Sequence, residues 1–257
     1  MNGNNGHGIV VQPRDEHLLR EVAALRFIDR EQAKLAAGFG STTRANTRLL
    51  ALCRAGLLRR FFQGTSAGGQ KAFYACTEKG AQLVGAPYTR LRYRNDELVV
   101  STVFLAHASW VNSVYCWARY TACPTPGVSF LRWVSFPEPV APSLTPDGYF
   151  EITTPEGTLG SFVEVDLASE GPAIWTAKVR HYLQYAASGQ FEKRFALPRF
   201  RVLVAAKDES RTQRLRQIVR TFTEKIFWFS TLGVLQRQGF WKRVWQRPAN
   251  DEYRSLA

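Results

Sequence analysis

The stretch from Asp147 to Leu167 constrains the fold most. "DGYFEITT" and "LGSFVEVDL" are strand-like runs joined at "PEG", a turn composition. Successive side chains of a strand point to opposite faces, so Phe162, Glu164 and Asp166 share one face and Val163, Val165 and Leu167 the other. Asp147, Tyr149 and Glu151 share a face of the first run. Paired as a hairpin, the two runs bring Asp147, Glu164 and Asp166 together. "VSFLRWVSF" before the hairpin reads as a further strand. After it come a helix, "AIWTAKVRHYLQYAASG", ended at Gly189, an apolar β-branched strand, "RFRVLVAAK", and a basic amphipathic helix, "ESRTQRLRQIVRTFTEK". Strands alternating with helices predict a mixed α+β chain of the layered α/β kind.

Carboxylates gathered on one face repel and raise each other's pKa unless a divalent cation lies between them. Asp147, Glu164 and Asp166 are therefore the expected ligands of Mg2+ or Mn2+, which take one or two carboxylates plus waters and substrate phosphates. Such an ion activates water and stabilises the leaving oxygen in phosphodiester cleavage. The next helix carries Lys178 and Tyr182, four apart and so on one face. Lys178 is expected to stabilise the phosphate in the transition state, and Tyr182 to hydrogen-bond a phosphate or stack on a base. The alternative is an exposed acidic hairpin with a solvated lysine.

The first part of the chain has a different pattern. Residues 1–13 read as a flexible tail. "RDEHLLREVAALRF" and "DREQAKLAAG" carry helical spacing, with Asp29 as a cap and Gly38 as a stop. "STTRANTRLLALCRAGLL" is a third helix, capped by Ser41 or Thr42, with Ala45, Leu49 and Leu52 on its apolar face and Arg44, Thr47 and Arg48 on the opposite one. "LLRRFFQ" and "KAFYACT" are strand-like and separated by "GTSAGG"; "TEKGAQLVG" is a capped short helix. Three helices followed by a glycine-tipped hairpin is the order of a winged helix-turn-helix, expected over 14–88. Its third helix would enter the DNA major groove.

Charge agrees. The chain has a formal net charge of +13, and residues 1–95 hold 15 Lys/Arg against 6 Asp/Glu. A polyanion is the expected partner, double-stranded DNA first. Arg44, Thr47 and Arg48 are the candidates for base edges or phosphates, and Arg59, Arg60 and Lys71 around the wing for phosphates. A basic face that binds protein is the alternative.

A linker, "APYTRLRYRND", precedes the second domain, expected over 89–257 with a long apolar helix at 97–121. Leu98–Ala118 has no Lys, Arg, Asp or Glu, yet Thr102, Ser109, Asn112 and Ser113 form a polar stripe. That stripe predicts packing inside a soluble protein rather than membrane insertion. His107 lies opposite it and reads as a core histidine. Cys53, Cys76, Cys116 and Cys123 form no CxxC pair, which argues against structural zinc and for reduced thiols in the cytoplasm. The N-terminus has no signal-peptide pattern, and no nucleotide-cofactor motif occurs. Trp241 and Trp245 in the basic "FWKRVWQRP" are open between DNA, a partner and the core.

"PD…ExD" resembles the PD-(D/E)xK signature of restriction-endonuclease-like nucleases. The wider pattern is similar to the replication-relaxation family of plasmids and mobile elements at "RDEHLLREVAALRFIDREQ", "TRLLALCRAGLLRR", "YACTEKGAQLV", "HASWVN", "TPDGYFEI", "FVEVDLASE" with "KVRHY", and "FRVLVAAKDESR". The resemblance spans roughly residues 14–215. It implies a winged helix plus a nuclease-like domain, working in plasmid replication and mobilisation as a relaxase that nicks origin DNA, alongside conjugation or replication proteins. Asp147 and Glu164 match the metal-binding acids. Asp166 stands where the signature has lysine, so either Lys178 takes over that role or the fold has kept binding without cleavage. A non-catalytic replication initiator or transcriptional regulator is therefore the competing expectation. An RNA-binding or peripheral membrane protein is the third; the chain lacks a recognisable stacking platform or polybasic anchor.

Overall fold

The computed structural model describes residues 9–64, 68–91, 93–94, 97–98, 101–136 and 138–257. Two compact units divide the chain, 1–116 and 117–257.

The first unit opens with α1 (Pro13–Leu25), β1 (Ile28–Asp29), α2 (Arg30–Ala36) and α3 (Thr42–Arg54). Gln12 caps α1, so the tail expected over 1–13 ends before it; residues 1–8 lie outside the described residues. Asp29 and Gln32 cap α2 reciprocally: Gln32 N donates to Asp29 Oδ1 at 2.8 Å, and Asp29 N to Gln32 Oε1 at 2.9 Å. Ser41, rather than Thr42, accepts from Arg44 N at the start of α3. β2 (Leu58–Gly64) and β3 (Gln70–Cys76) form the expected hairpin, its tip residues 65–67 outside the described residues. The two-residue β1 joins it, giving the order β1-β3-β2. Phe27, Phe61 and Phe73 pack edge-on and stacked between sheet and helices.

α4 (Glu78–Leu83) follows, then β4 (Tyr93–Arg94), within the expected linker, and β5 (Glu97–Leu98), an antiparallel partner at the first two positions expected of the apolar helix, which begins only at Thr102. The apolar helix is α5 (Thr102–Tyr120). Among the described residues no helix is long and apolar enough to cross a membrane. Its polar stripe has partners in the first unit. Asn112 Nδ2 donates to Phe27 O at 2.8 Å, and Gln32 Nε2 donates to Ser109 O and to Ser113 Oγ. The division into units falls at Cys116–Trp117, inside α5, and not at the expected 88–89 ahead of this helix.

The second unit is built on seven strands in the order β12-β11-β10-β9-β8-β7-β6. These are β6 (Ser129–Val134), β7 (Gly148–Thr154), β8 (Gly157–Asp166), β9 (Phe200–Ala206), β10 (Phe227–Thr231), β11 (Trp245–Arg247) and β12 (Asn250–Arg254). β6, β7 and β8 run antiparallel, while β8, β9 and β10 are parallel. α6 (Pro172–Ala187), α7 (Gln190–Phe195) and α8 (Glu209–Arg220) pack on one face. There Phe162, Val202, Val204, Phe227 and Phe229 meet Trp175, Val179, Tyr182, Leu215 and Val219. α9 (Leu232–Gln238) joins β10 to β11. The stretch from β10 to β12, α7 and α9 were not foreseen from the sequence. Phe150 of the opposite sheet face packs against Phe240 and Trp241. Trp241 and Trp245 are buried, their ring nitrogens donating to Ala118 O and Phe240 O; of the three fates left open for them, the structure gives the core.

Candidate functional site

The site grows from the β7–β8 hairpin. Gly148 pairs with Val163, so Asp147 lies one step further on, across from Glu164. Asp147 N donates to Val163 O at 3.1 Å, and Asp147 Oδ2 accepts from Val165 N at 2.7 Å. The adjoining glycine of "PDG" is required by packing. A Cβ on Gly148 would lie 2.1 Å from a ring atom of Trp133, so no side chain fits there.

Glu164 is 2 % exposed. Both of its oxygens are occupied by groups from α6: Lys178 Nζ donates to Oε2 at 2.9 Å and Tyr182 Oη to Oε1 at 2.5 Å. Burial pushes the Glu164 carboxyl up to about 7; the Lys178 charge opposes the rise and Asp147 adds to it. Lys178 also donates to both oxygens of Glu170, at 2.9 and 3.2 Å. Burial works against its charge, but Glu164 and Glu170 outweigh it and hold the ammonium above its ordinary range. Burial, then Glu164, drives the Tyr182 hydroxyl well up. Tyr182 is fully buried and bound to Glu164, which corrects the expectation that it stacks on a base.

Asp166 has a different role. Arg211 Nε donates to its Oδ1 at 2.6 Å and Nη2 to its Oδ2 at 2.8 Å, Trp175 Nε1 donates to Oδ2 at 2.8 Å, and Ala168 N donates to Oδ1 at 2.9 Å. Burial raises this carboxyl, but these hydrogen bonds outweigh it and hold it below the usual range. Arg211 also donates to Glu170 O at 2.6 Å. The Asp166–Arg211 pair therefore shapes the turn in which Ala168 takes a positive φ of 66° and from which Glu170 reaches Lys178. Asp166 holds an arginine and a loop, and the convergence of three carboxylates expected from strand alternation does not occur. Glu151, on the same face, is likewise taken by Arg132 and Tyr149.

The donor set can be compared with what a divalent ion needs. Among the described residues no group of three or more His, Cys, Asp or Glu side chains is arranged to hold a metal. Asp147 and Glu164 remain as a facing pair; burial first, and the Asp147 charge in addition, raise Glu164. Two carboxylates match the number magnesium takes when water and phosphate supply the rest. Asp166 does not enter that set.

Trp175, Glu170 and Arg211 were missed from the sequence. Trp175 had a signal, since it lies three before Lys178 and seven before Tyr182 on one helical face. Arg211 sits 45 residues from Asp166, in the first turn of α8, and carries no local signal.

In the first unit, Arg44 and Thr47 are exposed on α3, and Arg59 and Arg60 are exposed on β2. Arg48 is engaged instead: Nε donates to Asp15 Oδ1 at 2.8 Å, Nη2 bonds Asp15 Oδ2, and Nη2 donates to Val10 O at 2.7 Å. Burial raises Asp15, which is 0 % exposed, but the Arg48 and Gln12 hydrogen bonds hold it below its ordinary value. Lys71 pairs with Asp29 at 2.5 Å and lies over Phe73. Of the six expected DNA contacts, Arg48 and Lys71 thus already have carboxylate partners. His107 is half-buried on α5.

The replication-relaxation family matches the chain over residues 19–197. No curated protein and no solved structure gives a match.

Proposed function

Because the chain belongs to the replication-relaxation family, we propose that it serves plasmid or mobile-element replication and mobilisation as a DNA-binding protein with a nuclease-type site in its second unit. In this reading α3 and the β2–β3 hairpin form a winged helix-turn-helix, and Arg44, Thr47, Arg59 and Arg60 contact DNA. The second unit is a restriction-endonuclease-like scaffold that nicks one strand of the origin. The protein works in the cytoplasm beside other replication or conjugation proteins.

One observation carries the reading: Lys178 Nζ lies 2.9 Å from Glu164 Oε2, with Asp147 across from the same carboxylate. In this reading Lys178 of α6 takes the part of the lysine that the nuclease signature has at position 166. Asp147 and Glu164 would hold Mg2+ or Mn2+, which when bound would supply a polarised water and charge neutralisation at the phosphate. Lys178 keeps its proton and offers it, as a hydrogen bond, to a phosphate oxygen. Tyr182 fixes the Glu164 rotamer. Asp166 and Arg211 position the Glu170 loop.

A second reading has its own support. Both Glu164 oxygens already accept hydrogen bonds from the protein, the arrangement expected of a scaffold that keeps binding without cleavage. A supercoiled plasmid carrying the element's origin separates the two. Open circles that require Mg2+ or Mn2+, and vanish in Asp147→Ala and Glu164→Ala, support the nuclease. A metal-independent gel shift without open circles supports the initiator or regulator.

A further inference from the structure

A second charged cluster occupies the sheet face turned away from α6 and α8. Val202 pairs with Phe227, and Phe229 pairs with Gln246. Alternation then places Arg201, Trp228 and Arg247 side by side on β9, β10 and β11. The Arg201 guanidinium carbon lies 5.1 Å from the Trp228 ring centroid and that of Arg247 lies 4.8 Å from it. Arg199, exposed just before β9 at a cavity lined by Ala186, Gly189 and Phe191, adds its charge to the same field from the edge of the sheet.

These cations have carbonyls for partners, not carboxylates. Arg201 Nη1 donates to Leu256 O at 2.5 Å, and Arg247 Nη2 donates to Glu224 O at 2.8 Å. The described ion pairs include none for Arg199, Arg201 or Arg247, although Arg254 nearby pairs with Glu252. Burial lowers Arg201, and Arg247 and Arg199 lower it further. Burial, then Arg254, lowers Arg247. A group of like charges with no carboxylate partner among the described residues is the electrostatic complement of an anion.

The surroundings select the anion. Planar guanidinium forks match phosphate oxygens. Trp228 is 8 % exposed beneath the arginines, so its ring offers no platform for a base. The cluster presents charge without stacking, which reads a backbone and not a sequence. We propose that Arg201 and Arg247, on the sheet face opposite Glu164, with Arg199 at the edge just before β9, form a phosphate site for the nucleic-acid backbone, additional to the contacts of the first unit. The proposal rests on the reading that the protein works on DNA, and adds a second anchoring surface for it.

The test is fluorescence anisotropy with a short labelled duplex of arbitrary sequence over a salt series, on wild type, Arg199→Glu, Arg247→Ala and Arg44→Ala. Arg199 is exposed and has no described partner, so Arg199→Glu keeps the fold even if Arg247→Ala loses some stability. Each second-unit variant is expected to weaken binding about three- to ten-fold and reduce the salt slope by about one. Wild-type affinity and slope in both, with loss only in Arg44→Ala, would overturn the site and leave the proposed function standing. Wild type that binds no DNA would overturn both. Thermal shift with inorganic tripolyphosphate is the second arm: a rise in Tm lost in Arg199→Glu, without any DNA effect of that substitution, reassigns the cluster to a free phosphate ligand and overturns the backbone assignment.

Discussion

Each unit buries a carboxylate against an arginine, Asp15 with Arg48 in the first and Asp166 with Arg211 in the second. In both, burial raises the acid, but the arginine together with the other hydrogen bonds, from Gln12 N to Asp15 and from Trp175 and Ala168 N to Asp166, outweighs it and holds the acid in its charged form. Glu164, two residues from Asp166 on the same strand face, goes the other way. Burial raises its carboxyl to about 7 and Asp147 adds to the rise, while the lysine it shares with Glu170 and the Tyr182 hydroxyl offset only part of it. A bidentate arginine satisfies a buried carboxylate and ends its chemistry, whereas a shared lysine leaves it poised. That difference separates the candidate site from the framework around it.

The comparison breaks most visibly at Asp166. Asp166→Ala leaves Arg211 buried without a counter-charge, and urea unfolding is expected to show a loss of about 3–5 kcal/mol. A loss below about 1 kcal/mol would mean that the pair is not structural.

Glu164 supplies the next effect, in pH. Its folded value is raised from an ordinary 4.5 to about 7. Its contribution to stability is therefore fully present below 4.5 and is lost as pH rises through 7. The shift corresponds to about 3 kcal/mol. Wild type measured against Glu164→Gln is expected to lose ground across that window; parallel profiles would remove Glu164 from the poised class. Asp15 has the opposite sign, because its folded value is lowered. Its contribution is present above the ordinary carboxylate range and fades as pH falls below it.

Asp15→Asn should cost about 1–3 kcal/mol, less than the change at Asp166, because Arg48 keeps 20 % of its side-chain surface in water. The smallest effect is at Arg44. Arg44→Ala is expected to change stability by less than about 0.5 kcal/mol while weakening DNA binding by about 1 kcal/mol in gel shifts. Arg48→Ala should lose stability as well, because its guanidinium belongs to Asp15. Equal stability in the two variants would return Arg48 to the DNA-contact set.

Much of the site was legible. Strand alternation placed Glu164 on the face of Phe162, which the structure covers with helices, and helical spacing placed Lys178 and Tyr182 on one face of α6, where both reach Glu164. The caps at Asp29 and Ser41 also followed from local pattern. Alternation could not separate Glu164 from Asp166, since both have the same phase. Nor could the exposed-looking face of α3 separate Arg44 from Arg48, whose partner lies 33 residues earlier.

The sequence by itself determined where most helices and strands up to α8 run and which face of each is apolar, because those properties repeat over two to four residues; α7, α9 and the strands from β10 to β12 it left unread. It also determined the basic balance that points to a polyanion. The tertiary structure alone decided which charge meets which. Arg211 reaches Asp166, Lys178 is shared between two glutamates, and Arg201 and Arg247 converge on Trp228. Those meetings depend on strand register and helix placement, and a carboxylate's chemistry is set by the few ångströms around it rather than by its neighbours along the chain.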